Sequence, residues 1–135
     1  MARVLIPFAE GVEEIEFVAV VDILRRAGVE VVTASLEPGA VTGRSNIIIA
    51  ADSELADVQS EDWDMIVLPG GLPNADLLRY DERVKGVVQR LRQRDKPVAA
   101  ICAAPTALAA YGVVGDKRVT SYPAMQEAML ELAPD

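Results

Sequence analysis

The chain has 135 residues, 51% hydrophobic and 25% charged, with a net charge of −8 at neutral pH. That is the size and balance of one globular domain, without an apolar run long enough to cross a membrane. The negative charge excludes nucleic-acid backbones as the main partner, since these are bound by clustered Lys and Arg. There is no histidine and a single cysteine, so the chain by itself can form neither a Ser-His or Cys-His pair, nor a histidine zinc site, nor an intrachain disulfide. With no export signal at Met1–Pro7, a reducing, cytoplasmic setting is expected.

Arg3–Phe8 is apolar nearly throughout and reads as a central strand covered on both faces. Glu10-Gly11 makes a turn, Val12–Ala27 is predicted helical with Arg25-Arg26 in its last turn and Gly28 as its stop, and Val29–Ala34 is a second strand. This is a βαβ unit with parallel strands and a right-handed crossover. Leu36–Gly43 is loop by its Pro and Gly content, Ile47–Ala50 a short strand that pairs as an excursion from the main sheet, and Asp52–Val58 a short helix. Trp63–Pro69 is a further core strand ending at Gly70-Gly71, where two glycines let backbone approach something closely.

Asp81–Asp95 is an amphipathic helix with Val84, Val87, Val88 and Leu91 on one face. Val98–Ile101 is a buried strand, Ala103–Ala110 a helix stopped by Gly112, Lys117–Tyr122 a short strand, and Pro123–Leu132 a helix with proline in its first turn. Alternating strands and helices predict an α/β sandwich with a mostly parallel sheet, free of repeats and linkers.

Cys102 lies between a strand and a helix, at the carboxyl edge where open parallel sheets place their ligands. Two readings are open: a small core filler, or a thiol whose deprotonation is eased by the N–H groups opening the next helix. Glu16 has apolar neighbours one turn away at Val12, Ala19 and Val20, so it either packs inward or lies half exposed like Glu13 and Glu14. If it faces Cys102, one proton is shared between the two, and a thiolate held by a protonated Glu16 becomes a nucleophile without histidine. Backbone N–H groups at Gly71 and Ala103 are then placed to hold an oxyanion.

Glu13-Glu14-Ile15-Glu16, Asp22–Gly28, Leu68-Pro69-Gly70-Gly71 and Ala99–Thr106, in this order and spacing, make the whole chain resemble the ThiJ/PfpI superfamily, most closely the branch of the Parkinson disease protein deglycase and its bacterial relatives. The resemblance implies a flavodoxin-like three-layer sandwich, a homodimer, a nucleophile-elbow cysteine at Cys102 and a protonated carboxyl partner at Glu16. It also implies oxyanion and substrate contacts from Gly70, Gly71 and Ala103, and it makes Arg44 a candidate to approach the site from the other subunit. The implied chemistry acts on 2-oxoaldehydes such as methylglyoxal or on their early protein adducts, without metal or cofactor; the alternative is a non-enzymatic oxidative-stress sensor or redox-regulated chaperone. The protease branch carries histidine directly after its cysteine, where this chain has Ala103.

There are two departures. Tyr122, in Thr120-Ser121-Tyr122-Pro123, stands where relatives place a histidine, and its hydroxyl is a hydrogen-bonding group but a poor base at neutral pH. Residues 1–135 are also expected to be a single domain lacking the family's final strand and long helix, which makes the chain a fragment or one completed by a second polypeptide.

Overall fold

The computed structural model describes residues 1–134. Its main sheet has five parallel strands in the order β5-β2-β1-β6-β7, where β1 is Arg3–Phe8, β2 Glu30–Ser35, β5 Ser53–Glu54, β6 Met65–Leu68 and β7 Val98–Ala100. β1 sits at the centre because it is apolar on both faces. Val4, Ile6 and Phe8 point into one core and Leu5 into the other.

The first core is completed by α1 (Glu14–Arg26) through Phe17, Val20, Val21 and Leu24, together with Val41 and Ile49. The second takes Leu55 and Val58 of α2 (Leu55–Val58), Leu78 of α3 (Asn74–Arg79), four residues of α4 (Glu82–Gln93) and Ala107 of α5 (Pro105–Ala110). The α4 residues are Val84, Val87, Val88 and Leu91, at the helical spacing read from the sequence. Burying each such side chain contributes about 1.5–3 kcal/mol before the entropy of ordering it. The result is the flavodoxin-like α/β sandwich that was expected.

The excursion forms as expected: β3 (Val41–Thr42) and β4 (Ile48–Ile49) pair antiparallel, apart from the main sheet. Several boundaries differ. α1 starts two residues late because Glu13 stays extended and caps the helix, its carboxylate accepting from the N–H groups of Ile15 at 3.4 Å and Glu16 at 3.0 Å. The Asp52–Val58 segment opens as strand, with Ser53 and Glu54 extending the ladder of β2 before one helical turn. α3 had no strong period in the sequence and was not foreseen.

The predicted strand over Lys117–Tyr122 is absent. Among the described residues no strand lies alongside it to supply a ladder, so Lys117–Thr120 are exposed irregular chain, and the Tyr122 N–H donates to the carbonyl of Cys102 at 2.7 Å instead. A short 3-10 turn, Pro123–Met125, then leads into α6 (Gln126–Leu132), whose Met129 packs on Ala109 and Val114. β7 is the sheet's edge with all three residues half-buried, while Ile101, Val119, Tyr122 and Leu130 remain exposed. Asp135 lies outside the described residues.

Candidate active site

Three turns at the carboxyl ends of β1, β6 and β7 converge. Cys102 occupies the turn between β7 and α5 with φ 62°, a left-handed conformation a non-glycine residue adopts only when its surroundings impose it. The buried Thr106 hydroxyl braces that turn by donating to the Ala103 carbonyl at 2.7 Å. Glu16, in the first turn of α1, reaches across: its Oε2 accepts from the Gly70 N–H at 3.0 Å, and its carboxylate is the hydrogen-bond partner of the half-buried Cys102 thiol. The backbone N–H groups of Ala103 and Gly71 favour the ionised form of the thiol.

Gly70 and Gly71 make this convergence sterically possible. A methyl group at position 70 would collide with Glu16 Oε2 and lie 2.7 Å from Cys102 Cβ. Gly71 adopts φ 91°, and a methyl there would strike the Gly11 carbonyl and the Glu13 N–H. The Glu13 N–H donates to the Gly70 carbonyl at 3.0 Å, fastening the start of α1 to the end of β6.

The expectation of an eased thiol proton is overturned. Burial, then the negative charge of Glu16 and its hydrogen bond, push the Cys102 thiol above its ordinary range, and the Ala103 and Gly71 N–H donors offset this only in part. The donors are two loop peptides, because α5 does not begin until Pro105.

Glu14, expected to be half exposed, is the buried acid of the first turn, 5% accessible. Its carboxylate accepts from Ser45 N–H at 2.9 Å and Ile47 N–H at 3.2 Å, docking the β3–β4 turn on α1. Burial opposes its ionisation, yet these N–H groups and the Arg44 charge outweigh burial and hold its carboxyl below the usual range. Only the spacing of two adjacent glutamates hinted at this role. Arg44 is therefore an exposed residue of that turn, tied by its backbone N–H to the Val12 carbonyl at 2.9 Å. Tyr122 is linked to the Cys102 turn through its backbone, and the residue is 53% exposed.

Two cavities lie elsewhere: about 340 Å³ between Leu36, Leu77 and Tyr80, and about 430 Å³ between Val119, Pro123 and Leu130. Among the described residues no group of three His, Cys, Asp or Glu side chains is arranged to hold a metal ion, and no helix is long and apolar enough to cross a membrane.

A parallel α/β sandwich with a cysteine in a strained strand-to-helix turn, facing a glutamate and two backbone N–H groups, defines a class of cysteine-centred proteins. Within it the chain belongs to the DJ-1/PfpI family, whose sequence profile matches residues 2–133. It is 40% identical over 127 residues to protein dj-1beta of Drosophila melanogaster, covering 93% of this chain and 68% of that one. It is 32% identical over 133 residues to a Pyrococcus abyssi protein named a deglycase, covering 98% and 80%. It spans only 33% and 28% of two DJ-1 homologues of Arabidopsis thaliana. Among solved structures, oxidized Toxoplasma gondii DJ-1 superposes with a TM-score of 0.91 at 35% identity, covering 95% of this chain and 71% of that one. Drosophila DJ-1beta also superposes with a TM-score of 0.91, at 39% identity and 96% and 70% coverage.

Proposed function

We propose that the chain is a cysteine-dependent detoxification and repair enzyme acting on 2-oxoaldehydes such as methylglyoxal, or on their early adducts with protein. The observation that carries this reading is the single cysteine held at φ 62° with a carboxylate and two N–H donors directed at its sulfur. A thiol held up by an adjacent carboxylate is one whose proton has a ready acceptor. Glu16 takes the S–H proton as the sulfur adds to the aldehyde carbon, forming a C–S bond and an alkoxide. The Gly71 and Ala103 N–H groups stabilise that developing charge, and Glu16 returns the proton to it.

The resulting hemithioacetal isomerises as Glu16 takes the C1 proton and returns it at C2, while the C1 hydroxyl proton passes to the C2 oxygen. C1 is thereby oxidised to a thioester while C2 is reduced to an alcohol. Water then displaces the thiol and releases the 2-hydroxy acid, so methylglyoxal plus water equals lactate with no outside electron carrier. The relatives named deglycases in Pyrococcus support the substrate class. Tyr122, in the histidine's place, leaves the proton transfers to Glu16.

The test is lactate formation from methylglyoxal. The native chain turns over, and Cys102→Ser and Glu16→Gln fall by at least about 100-fold. Absence of turnover in a protein whose Cys102 is alkylatable would sink the enzymatic reading.

A second reading is favoured by the structural relative described as oxidized. Peroxide would convert the half-buried Cys102 to a sulfinate, with Glu16 and the Gly71 and Ala103 N–H groups holding its oxygens. Uptake of two oxygen atoms by mass spectrometry, with client protection from aggregation and no aldehyde turnover, marks this outcome. Both readings place the chain in a homodimer, supported by the exposed Ile15, Val18 and Ile23 of α1, and sedimentation equilibrium decides the assembly.

A further inference from the structure

Asn74 is fully buried, and both amide N–H groups and the carbonyl oxygen of its side chain are hydrogen-bonded. Oδ1 accepts from the Ala9 N–H at 2.8 Å, while Nδ2 donates to the Pro69 carbonyl at 2.8 Å and the Gly70 carbonyl at 3.0 Å. The partners fix which amide atom is oxygen, since Ala9 offers only a donor and the two carbonyls only acceptors. Both carbonyls lie beyond β6, which ends at Leu68; the Pro69 carbonyl is held by Asn74, and the Gly70 carbonyl by Asn74 together with the Glu13 N–H at 3.0 Å.

A peptide unit is planar, so anchoring its carbonyl oxygen also directs its N–H, which points the opposite way. The Pro69 carbonyl shares a plane with the Gly70 N–H, the group that holds Glu16 Oε2 at 3.0 Å. The Gly70 carbonyl shares a plane with the Gly71 N–H, a backbone donor that favours the ionised form of the Cys102 thiol. We propose that Asn74 is the positioning residue of the thiol site: one buried amide sets two consecutive peptide planes, one aiming a donor at Glu16 and the other at the Cys102 sulfur. The Ala9 bond ties the same amide to the end of β1, so the two donors are held against the strand that precedes α1 and Glu16. Glycine at 70 and 71 gives these planes wide conformational freedom, and Asn74 restrains both of them, with the Glu13 N–H as a second partner of the Gly70 carbonyl.

This inference rests on the reading of Cys102 and Glu16 as a reactive pair, and its test separates the two. In isotopically labelled protein the Gly70 and Gly71 amide resonances are followed through the Cys102 titration. In the native chain the Gly71 amide proton moves with the thiol. In Asn74→Ala it no longer does, while Val88→Ala, a core truncation in α4 away from the site, retains the coupling despite its lost stability. In a Glu16→Gln background, where the glutamate charge is already gone, adding Asn74→Ala slows alkylation of Cys102 at neutral pH by about tenfold through loss of one charge-assisted donor.

Gly71 still following the thiol in Asn74→Ala overturns the positioning role alone. A native Gly71 amide indifferent to the thiol overturns it together with the oxyanion reading. If Asn74→Ala does not fold, solvent exchange of the two Asn74 Nδ2 protons in the native chain decides: protection of about 100-fold over a free amide is expected, and exchange at the free rate refutes the clamp.

Discussion

Replacing Gly70 by alanine tests the packing that brings glutamate and cysteine together. The added carbon would lie 2.7 Å from Cys102 Cβ and 3.0 Å from the Ile101 carbonyl oxygen, besides colliding with Glu16 Oε2. Carbon pairs rest at about 3.5–4.0 Å, so the Cys102 contact is short by about an ångström. Glu16 can swing aside as the end of a flexible side chain, but Ile101 O is backbone and Cys102 Cβ is fixed by a strained turn. Overpacking of this kind costs about 1–3 kcal/mol, equivalent to a Tm lower by about 4–12 °C for a chain of this size. Displacing Glu16 from the Gly70 N–H also removes the charge and hydrogen bond that raise the thiol, so the pH midpoint of Cys102 alkylation moves down. The comparison is Gly28→Ala. Gly28 has φ 82° but a methyl there meets nothing within 4 Å, so it costs only left-handed strain, about 1–2 kcal/mol, and leaves the alkylation profile alone. A Gly70→Ala protein with native Tm and native profile would refute the close approach.

Glu16→Gln removes the negative charge that raises the thiol, so its alkylation midpoint falls, with burial still opposed by the Ala103 and Gly71 N–H groups; a midpoint that rises instead contradicts the stated electrostatics. Glu14 has a folded pKa below its unfolded value, so its contribution to stability is fully present above the unfolded pKa, near 4.5, and is lost as pH falls through the folded one. Thermal melts of Glu14→Gln should accordingly show a flatter acid limb than the native chain, and parallel limbs would show that the β3–β4 turn does not depend on that charge. Tyr111, its hydroxyl buried against the Leu78 carbonyl, stays protonated because burial and the charges of Asp81 and Glu82 push its pKa up. Tyr111→Phe should cost about 1 kcal/mol in urea unfolding with an unchanged m-value, and a neutral result would mean water replaces the hydroxyl.

Periodicity within single segments was enough to read the central β1, the apolar face of α4 and the βαβ crossover, because each depends on burial repeating every two or every 3.6 residues along a continuous stretch. Cys102 was legible for a similar reason: the only cysteine sits where an apolar run gives way to a small, helix-favouring one, and that boundary is local. The Lys117–Tyr122 segment shows where local reading stops, since a strand is defined by the ladder beside it and none is there. Glu16 and Gly70 are 54 residues apart, and Ala9 and Asn74 are 65 apart, so no sequence period relates either pair. Which of Glu13, Glu14 and Glu16 caps the helix, is buried, or faces the thiol depends on their helical phase against loops from elsewhere in the chain. The sign of the shift at Cys102 was likewise decided by tertiary structure. Burial and a facing carboxylate act against two peptide donors, and that balance exists only once β1, β6 and β7 have brought their ends to one edge.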